Sequence, residues 1–257
     1  MSDYLISARK YRPKSFNEVV GQEVITSTLE NAVKNNQLSQ ALLFTGPRGV
    51  GKTSCARILA KMINADKITS ESDYSFNIFE LDAASNNGVD GIRNLTDQIR
   101  IPPQIGNFKV YIIDEVHMLS SSAFNAFLKT LEEPPRHCVF ILATTEKHKI
   151  IPTILSRCQI YDFKRISVDD ISSYLINISK KEKVKYEENA IQFIAKKANG
   201  SMRDALQIYD RILSSKNNEV SIASVMENLN ILDNQVYFDL LYLIINNEIP
   251  KLLLLIN

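Results

Sequence analysis

Residues 41–53 read Ala41-Leu42-Leu43-Phe44-Thr45-Gly46-Pro47-Arg48-Gly49-Val50-Gly51-Lys52-Thr53, and this stretch decides the fold. A short apolar run ends on a glycine, the pattern G-x-x-x-x-G-K-[ST] follows, and a helical stripe begins where it stops. With average glycine usage, a chance match in a chain of 257 residues is on the order of one in a hundred. The chemistry explains the spacing. Glycines let the backbone curl until its N–H groups face inward at phosphate oxygens, and the start of the helix adds its own free donors. Lys52 is the cation for the β- and γ-phosphates, and Thr53 offers a hydroxyl to Mg²⁺. Gly46, Gly49, Val50, Gly51, Lys52, Thr53 and Ser54 are therefore the candidate phosphate site.

Working outward, helical and strand patterns alternate from residue 22 to about 165. Ile25, Leu29, Ala32 and Val33 fall at helical spacing before the strand 41–45, and Ala56, Leu59, Ala60 and Ile63 follow it. Ile78–Leu81 reads as a strand, Val89–Ile99 as a helix and Val110–Ile113 as a buried strand. Phe124, Phe127, Leu128 and Leu131 form a helical stripe stopped by Pro134-Pro135. Val139–Ala143 and Gln159–Phe163 supply two more strands. Five short apolar strands separated by helices predict a parallel five-stranded sheet with helices on both faces.

Beyond Ile166 the strand patterns stop. Ser167–Ser179, Glu187–Ala198, Ser201–Leu213 and Ser221–Leu229 read as helices, and Lys180–Lys185 as a solvated linker. The expected organisation is an α/β nucleotide-binding domain over 1–166, a small helical lid over 167–230, and the start of a helical third domain over 231–257. The leucine run 252–255 at the chain's end predicts a cut within that third domain.

Two further clusters carry chemistry. Val110-Tyr111-Ile112-Ile113 ends in Asp114-Glu115, which sets two acids at the C-terminal edge of a buried strand. Beside a phosphate loop, Asp114 suits the Mg²⁺ hydration shell and Glu115 the attacking water. Alone, two acids after a strand often only begin a loop. Thr144-Thr145 ends the next strand, and Ile154-Leu155-Ser156-Arg157-Cys158 follows. Arg157 is equally a cation for a neighbour's phosphates and a surface ion-pair residue; Thr145 is equally a strand cap. Arg203, after the break at Gly200, either reaches back over a nucleotide or pairs on its own helix.

Composition bounds the alternatives. Apolar residues make up 45% and charged residues 23%, with 30 Lys+Arg against 29 Asp+Glu. Such a balance excludes a mostly disordered chain and a basic nucleic-acid-coating protein, so any DNA contact is local. The helix opening at Asn86-Asn87-Gly88, with Arg93 and Arg100 along it, is the candidate DNA surface, a solvated helix face being the rival reading. Cys55, Cys138 and Cys158 are odd in number and far apart, which suits reduced thiols rather than a disulfide frame. The first sixteen residues lack a signal-peptide pattern and no apolar run reaches membrane length, so the expectation is a cytoplasmic protein with no membrane partner.

In this order, the phosphate loop, Asp114-Glu115-Val116-His117, Ser156-Arg157-Cys158 and Gly200-Ser201-Met202-Arg203 resemble the AAA+ clamp-loader ATPases. The blocks Arg9–Pro13, Val20–Glu23, Glu80–Asn86, His117–Ser120 and Leu128–Pro135 are similar to the gamma/tau subunits of bacterial DNA polymerase III. The resemblance runs from about residue 7 to at least 213. It implies ATP or ADP with Mg²⁺ at Thr53 and Asp114. Tyr11, Arg12 and Val20 would lie around the adenine, Thr145 at the sensor-1 position, Arg157 as a finger toward a neighbouring subunit, and Arg203 at sensor-2. Lys52, Glu115, Thr145, Arg157 and Arg203 are then the catalytic set.

The implied partners are the delta and delta-prime subunits, further gamma/tau copies, the sliding clamp and primer-template DNA, with the present chain alone expected to be monomeric. One departure stands out. The family's four-cysteine zinc module would fall between Ala65 and Asn77, which contains no cysteine, so no zinc is expected. The competing readings are another AAA+ motor, such as a Holliday-junction branch-migration helicase, and a non-catalytic scaffold such as delta-prime. The intact Lys52, Thr53, Asp114 and Glu115 weigh against the scaffold.

Overall fold

A computed structural model of the chain describes residues 6–68, 73–215, 219–229 and 241–246. The chain enters through a single turn, α1 (Ser7–Lys10), and a first long helix, α2 (Glu23–Lys34). The α/β core follows: β1 (Ala41–Thr45), α3 (Lys52–Ile63), β2 (Ile78–Asp82), α4 (Val89–Ile99), β3 (Lys109–Asp114), α5 (Ser121–Glu132), β4 (Cys138–Thr144), α6 (Pro152–Leu155) and β5 (Gln159–Asp162). The five strands form one sheet in the order β2-β3-β4-β1-β5, every pair parallel.

Side-chain alternation explains why this sheet is covered twice. In β3, Tyr111 and Ile113 enter one core, and Val110 and Ile112 enter the other. In β4, Phe140 and Leu142 join the first, and Val139 and Ile141 join the second. The first core is closed by α4 and α5 through Ile92, Leu95, Phe124 and Phe127; the second is closed by α2 and α3 through Leu29, Cys55 and Leu59. An aromatic column of Phe79, Tyr111, Phe140 and Phe127, with ring centroids 5.0, 5.6 and 5.4 Å apart, ties β2, β3, β4 and α5 together. Each such pair adds about 0.5–1.5 kcal/mol beyond its buried area. Helix ends agree with the local sequence. Ser120 accepts the Ala123 N–H at the start of α5, and Pro134-Pro135 lie just past its end.

The helical part comprises α7 (Val168–Glu182), β6 (Lys185–Tyr186), α8 (Glu188–Lys197), α9 (Met202–Ser215), β7 (Glu219–Val220) and α10 (Ile222–Asn228). Ser167 caps α7, and Ser221 with Ser224 form a reciprocal cap on α10. A third core of Ile171, Leu175, Ile191, Ile194, Leu206 and Tyr209 holds the bundle. Two details differ from the sequence reading. Strand structure does not stop at 166, because β6 and β7 pair in parallel; two-residue strands leave no periodicity to read. Lys180 and Lys181 are not linker but the last turn of α7, where cations complement the helix C-terminus.

The expected third domain, 231–257, lies outside the described residues apart from 241–246, of which 241–245 are helical. The N-terminal segment belongs to both parts. Phe16 and Val19 sit in the second sheet core, whereas Ala8, Tyr11 and Val20 pack on the helical core.

Candidate nucleotide-binding site

The register of the sheet sets the site. Thr45 at the end of β1 lies level with Thr144 at the end of β4, and Ile113 of β3 lies level with Leu142. The loop after β1 and the acids after β3 therefore emerge side by side at one edge. Gly46 has φ of +140°, and a Cβ there would stand 2.3 Å from the Phe163 carbonyl oxygen, so only glycine lets the chain turn here. Lys52, the first residue of α3, is 6% exposed and donates to the carbonyls of Gly46 and Pro47 at 2.7 and 2.8 Å. Burial lowers its pKa, and Glu115 and Asp114 oppose that shift. A desolvated cation held between two carbonyls and two acids is a strong partner for an anion.

Thr53, on the same first turn, donates its hydroxyl to Asp114 Oδ2 at 2.7 Å. Two hard oxygen groups thus meet at the mouth of the loop, a donor set that fits Mg²⁺. Glu115 stands in the left-handed region, with φ of +48° and ψ of +45°, and its N–H donates to Asp114 Oδ1 at 3.0 Å. A non-glycine residue held there costs energy and is overdetermined by its surroundings. The surroundings are visible: Thr145 donates both its N–H and its hydroxyl to Glu115 Oε2, at 3.1 and 2.9 Å.

On the other side the helical part approaches the loop directly. The Met202 N–H donates to the Gly49 carbonyl at 3.1 Å, and Ser201 caps α9 by accepting the Asp204 N–H at 3.2 Å. Gly49 has φ of +76°, and a Cβ there would lie 2.1 Å from Ser201 Oγ. Between these walls is a cleft of about 490 Å³, within the range of small-ligand sites. Tyr11, Arg12, Val20, Gly49, Val50, Gly51, Lys52, Thr53, Ser54, Asp114, Glu115 and Arg203 all line it. Arg12 reaches Ser54 Oγ at 3.3 Å; burial and then the nearby Arg57 lower its pKa, which again favours an anion.

Tyr11 is anchored from the helical side, its hydroxyl donating to Glu182 while its carbonyl accepts from Tyr174 at 3.1 Å. Lys10 pairs with the same Glu182 carboxylate, and the Ser7 N–H donates to Asp210 at 2.7 Å. Burial and the Glu182 carboxylate raise the Tyr11 pKa.

Three candidate residues stand apart from that cleft's lining: Gly46, whose carbonyl holds Lys52, Thr145 and Arg157. Thr145 touches it only through Glu115. Arg157 lies two residues beyond the end of α6 rather than on it, exposed, donating to Glu132 at 2.8 Å and to the Thr153 carbonyl at 2.7 Å. Ser201, Glu182 and His117 were not singled out for a role by the sequence. Ser201 could have been found from its place just after the Gly200 break; Glu182 carries no local signal.

The three thiols are poor metal donors. Burial pushes Cys55 up to about 12 and Cys138 and Cys158 to about 11. Among the described residues, no group of three or more His, Cys, Asp or Glu is placed to hold a metal ion. Nor is any helix there long and apolar enough to cross a membrane.

Fold and site together define a P-loop nucleotide-binding module of the AAA+ type with a helical lid over its cleft. The model of the DNA polymerase III delta subunit family matches residues 21–167, and that of the DNA polymerase III clamp loader subunit ATPase lid domain matches 170–215. The chain is 50% identical over 219 residues to DNA polymerase III subunit tau of Bacillus subtilis, covering 80% of this chain and 39% of the relative. It is 41% identical to subunit tau of Escherichia coli, over 99% of this chain and 42% of the relative. To subunit gamma of Buchnera aphidicola subsp. Schizaphis graminum it is 40% identical, over 99% of this chain and 74% of the relative.

The fold is shared with the Holliday junction branch migration motor RuvB of Thermotoga maritima. The TM-score is 0.67 at 22% identity, over 91% of this chain and 79% of that one. The chain belongs to the gamma/tau family of DNA polymerase III clamp-loader subunits. It spans about two fifths of the length of the Bacillus and Escherichia relatives.

Proposed function

We propose that this chain is the ATP-hydrolysing module of a replicative clamp loader, using ATP binding and hydrolysis to place a sliding clamp on primed DNA. The observation that carries the reading is the convergence of Lys52, Thr53, Asp114, Glu115 and Thr145 on one edge of the sheet. In this reading the loop amides, Lys52 and the start of α3 bind the phosphates, and Tyr11, Arg12 and Val20 border the base. Arg203 faces the phosphates from the lid. Thr53 and Asp114 hold Mg²⁺, which when bound neutralises charge on the β- and γ-phosphate oxygens. Glu115 takes the proton of the attacking water, its carboxylate oriented by Thr145.

Arg157, outside the cleft that its own chain lines, is suited to a neighbour's γ-phosphate, as a finger supplied in trans. The partners are then the delta and delta-prime subunits, other gamma/tau copies, the clamp and primer-template DNA, in the cytoplasm. The start of α4 at Gly88, which has no side-chain cap, supports a local DNA contact near Arg93 and Arg100. A scaffold role, which the delta-subunit family model brings to mind, is disfavoured by the complete set Lys52, Thr53, Asp114 and Glu115.

The test is steady-state hydrolysis by the full-length chain, with and without the other loader subunits, clamp and primed DNA. Glu115→Gln should keep nucleotide binding and lose about 10²–10⁴-fold in hydrolysis. Unchanged turnover in that variant would defeat the assignment.

A further inference from the structure

His117 has no place in the scheme above, yet its surroundings are unusual for a core histidine. The left-handed Glu115 turns the chain into a short 3-10 segment, Val116–Met118, which carries the ring inward until its side chain is 5% exposed. Nδ1 lies 3.0 Å from Thr144 Oγ1 and 3.4 Å from Glu115 Oε2, while Nε2 lies 3.3 Å from Glu146 Oε1. One ring therefore stands between two carboxylates.

The same threonine that meets the ring also accepts the Glu146 N–H, at 3.0 Å. Thr145, its neighbour, supplies the two hydrogen bonds to Glu115 Oε2. The ring, the end of β4 and the Glu115 carboxylate form one connected polar unit, buried at His117 and Thr144 and partly exposed at Glu115, and at its buried end a hydrogen-bonded group is held firmly and a broken contact is costly.

The unit continues outward. Glu146 Oε2 accepts from Lys149 at 2.8 Å and lies 3.5 Å from His148. Lys149, then His117 among other charges, holds the Glu146 carboxyl below the ordinary carboxylate range. Residues 147–149 form a single turn that leads through Ile150 and Ile151 into α6 and on to Arg157.

We propose that His117 is a positioning residue for Glu115, fixing the carboxylate through Thr144 and tying it to the Glu146–Lys149 turn that leads to Arg157. The inference rests on the reading of Glu115 as the base. A loop displaced by a neighbouring subunit would pull on Glu146, and through the ring would turn the Glu115 carboxylate. A core histidine that merely fills space would do none of this.

The two ring nitrogens can be tested separately, because an asparagine amide reaches the Nδ1 position and a glutamine amide the Nε2 position. The measurement is single-turnover ATP hydrolysis by the full-length chain assembled with the other loader subunits and primed DNA. Fluorescent-ATP affinity and melting temperature are recorded for each variant. His117→Ala should slow hydrolysis by about 10- to 100-fold, the loss expected when a reacting group is misplaced by about 1 Å. Nucleotide affinity should stay within about twofold, since no phosphate contact is lost.

His117→Asn should recover most of the rate and His117→Gln little of it. His117→Ala combined with Glu115→Gln should be no slower than Glu115→Gln alone, as expected for residues acting through one group. Equal rates for the Asn and Gln variants, multiplying losses, or affinity falling in step with rate would each overturn the proposal, even if the Ala variant does not fold. Glu115→Gln separates the two levels: if it hydrolyses normally, the base assignment and this inference both fall. If it is dead while His117→Ala is normal, only the inference falls.

Discussion

The two walls of the cleft are built by different means. The sheet wall places Asp114 at the end of β3, Glu115 directly after it with Thr145 behind, and Lys52 and Thr53 on the first turn of α3, with the fully buried Leu43, Phe44, Ile112, Ile113, Ile141 and Leu142 beneath. To shift one functional group here, the register of an entire strand must change. The lid wall has no such frame. Arg203 and Tyr11 come from segments almost two hundred residues apart, and reach the cleft through the Met202–Gly49 hydrogen bond and the ties of Lys10 and Tyr11 to Glu182. A wall fixed by packing keeps its geometry through a reaction cycle; a wall held by a few polar links can open and close.

The sharpest way to break this contrast is at Lys52. Its removal deletes a buried cation without touching the lid, so the loss should appear in affinity alone. Each charge-assisted hydrogen bond contributes about 1.5–3 kcal/mol, and Lys52 is placed to make more than one. Lys52→Ala should weaken ATP binding by about 100-fold or more in equilibrium titration, with the melting temperature of the free protein held or raised. Wild-type affinity would mean that the phosphates sit elsewhere.

A smaller loss is expected where the walls meet. Gly49→Ala forces a left-handed alanine, costing about 1–2 kcal/mol, and drives its Cβ into Ser201 Oγ. Both affinity and stability should fall, because the loop and the start of α9 must move apart. The double variant Gly49→Ala/Ser201→Gly sharpens the point. It removes the overlap with Ser201 but keeps the backbone strain and a 3.1 Å approach to Arg203 Cβ, and glycine costs only a few tenths of a kcal/mol as a helix cap. Partial recovery of ATP affinity is expected; none at all would mean that the loop, and not its contact with the lid, carries the defect.

The same contrast explains what could be read in advance. The sheet wall was legible because its functional residues adjoin strong local patterns: an apolar strand before Gly46, another before Asp114, another before Thr144. Strand adjacency, which brings Thr145 onto Glu115, follows once β3 and β4 are known to be neighbours. On the lid wall, the break at Gly200 offered Arg203 with a helix-surface pair as its rival, and Tyr11 was named only by resemblance. Nothing local to Glu182 reveals that it faces Tyr11 across 171 positions, and the two-residue strands β6 and β7 are too short for periodicity to register. His117 was visible as a letter in the Asp114–His117 block, but its role depends on Thr144 and Glu146, which the fold alone brings to it.

The smallest expected effect, and the most direct probe of the lid's polar ties, is Glu182→Gln. Its carboxyl is held below the ordinary range, first by the hydrogen bond from Lys10 and then by that from Tyr11. Its folded pKa being depressed, this carboxylate adds stability at pH above its unfolded value, and that stability drains away as pH falls through the lowered value. Side chains exposed by 49% at Lys10 and 34% at Glu182 keep the contribution modest, since solvent screens the pair. Glutamine keeps an acceptor for the Tyr11 hydroxyl but removes the charge. The melting temperature of Glu182→Gln should therefore lie slightly below wild type at neutral pH. The gap should close on acidification below the carboxylate range, and also narrow in high salt. A gap that persists unchanged in acid would mean that Glu182 supports the lid by packing. The N-terminal segment would then be a fixed part of the wall rather than a strap held by charge.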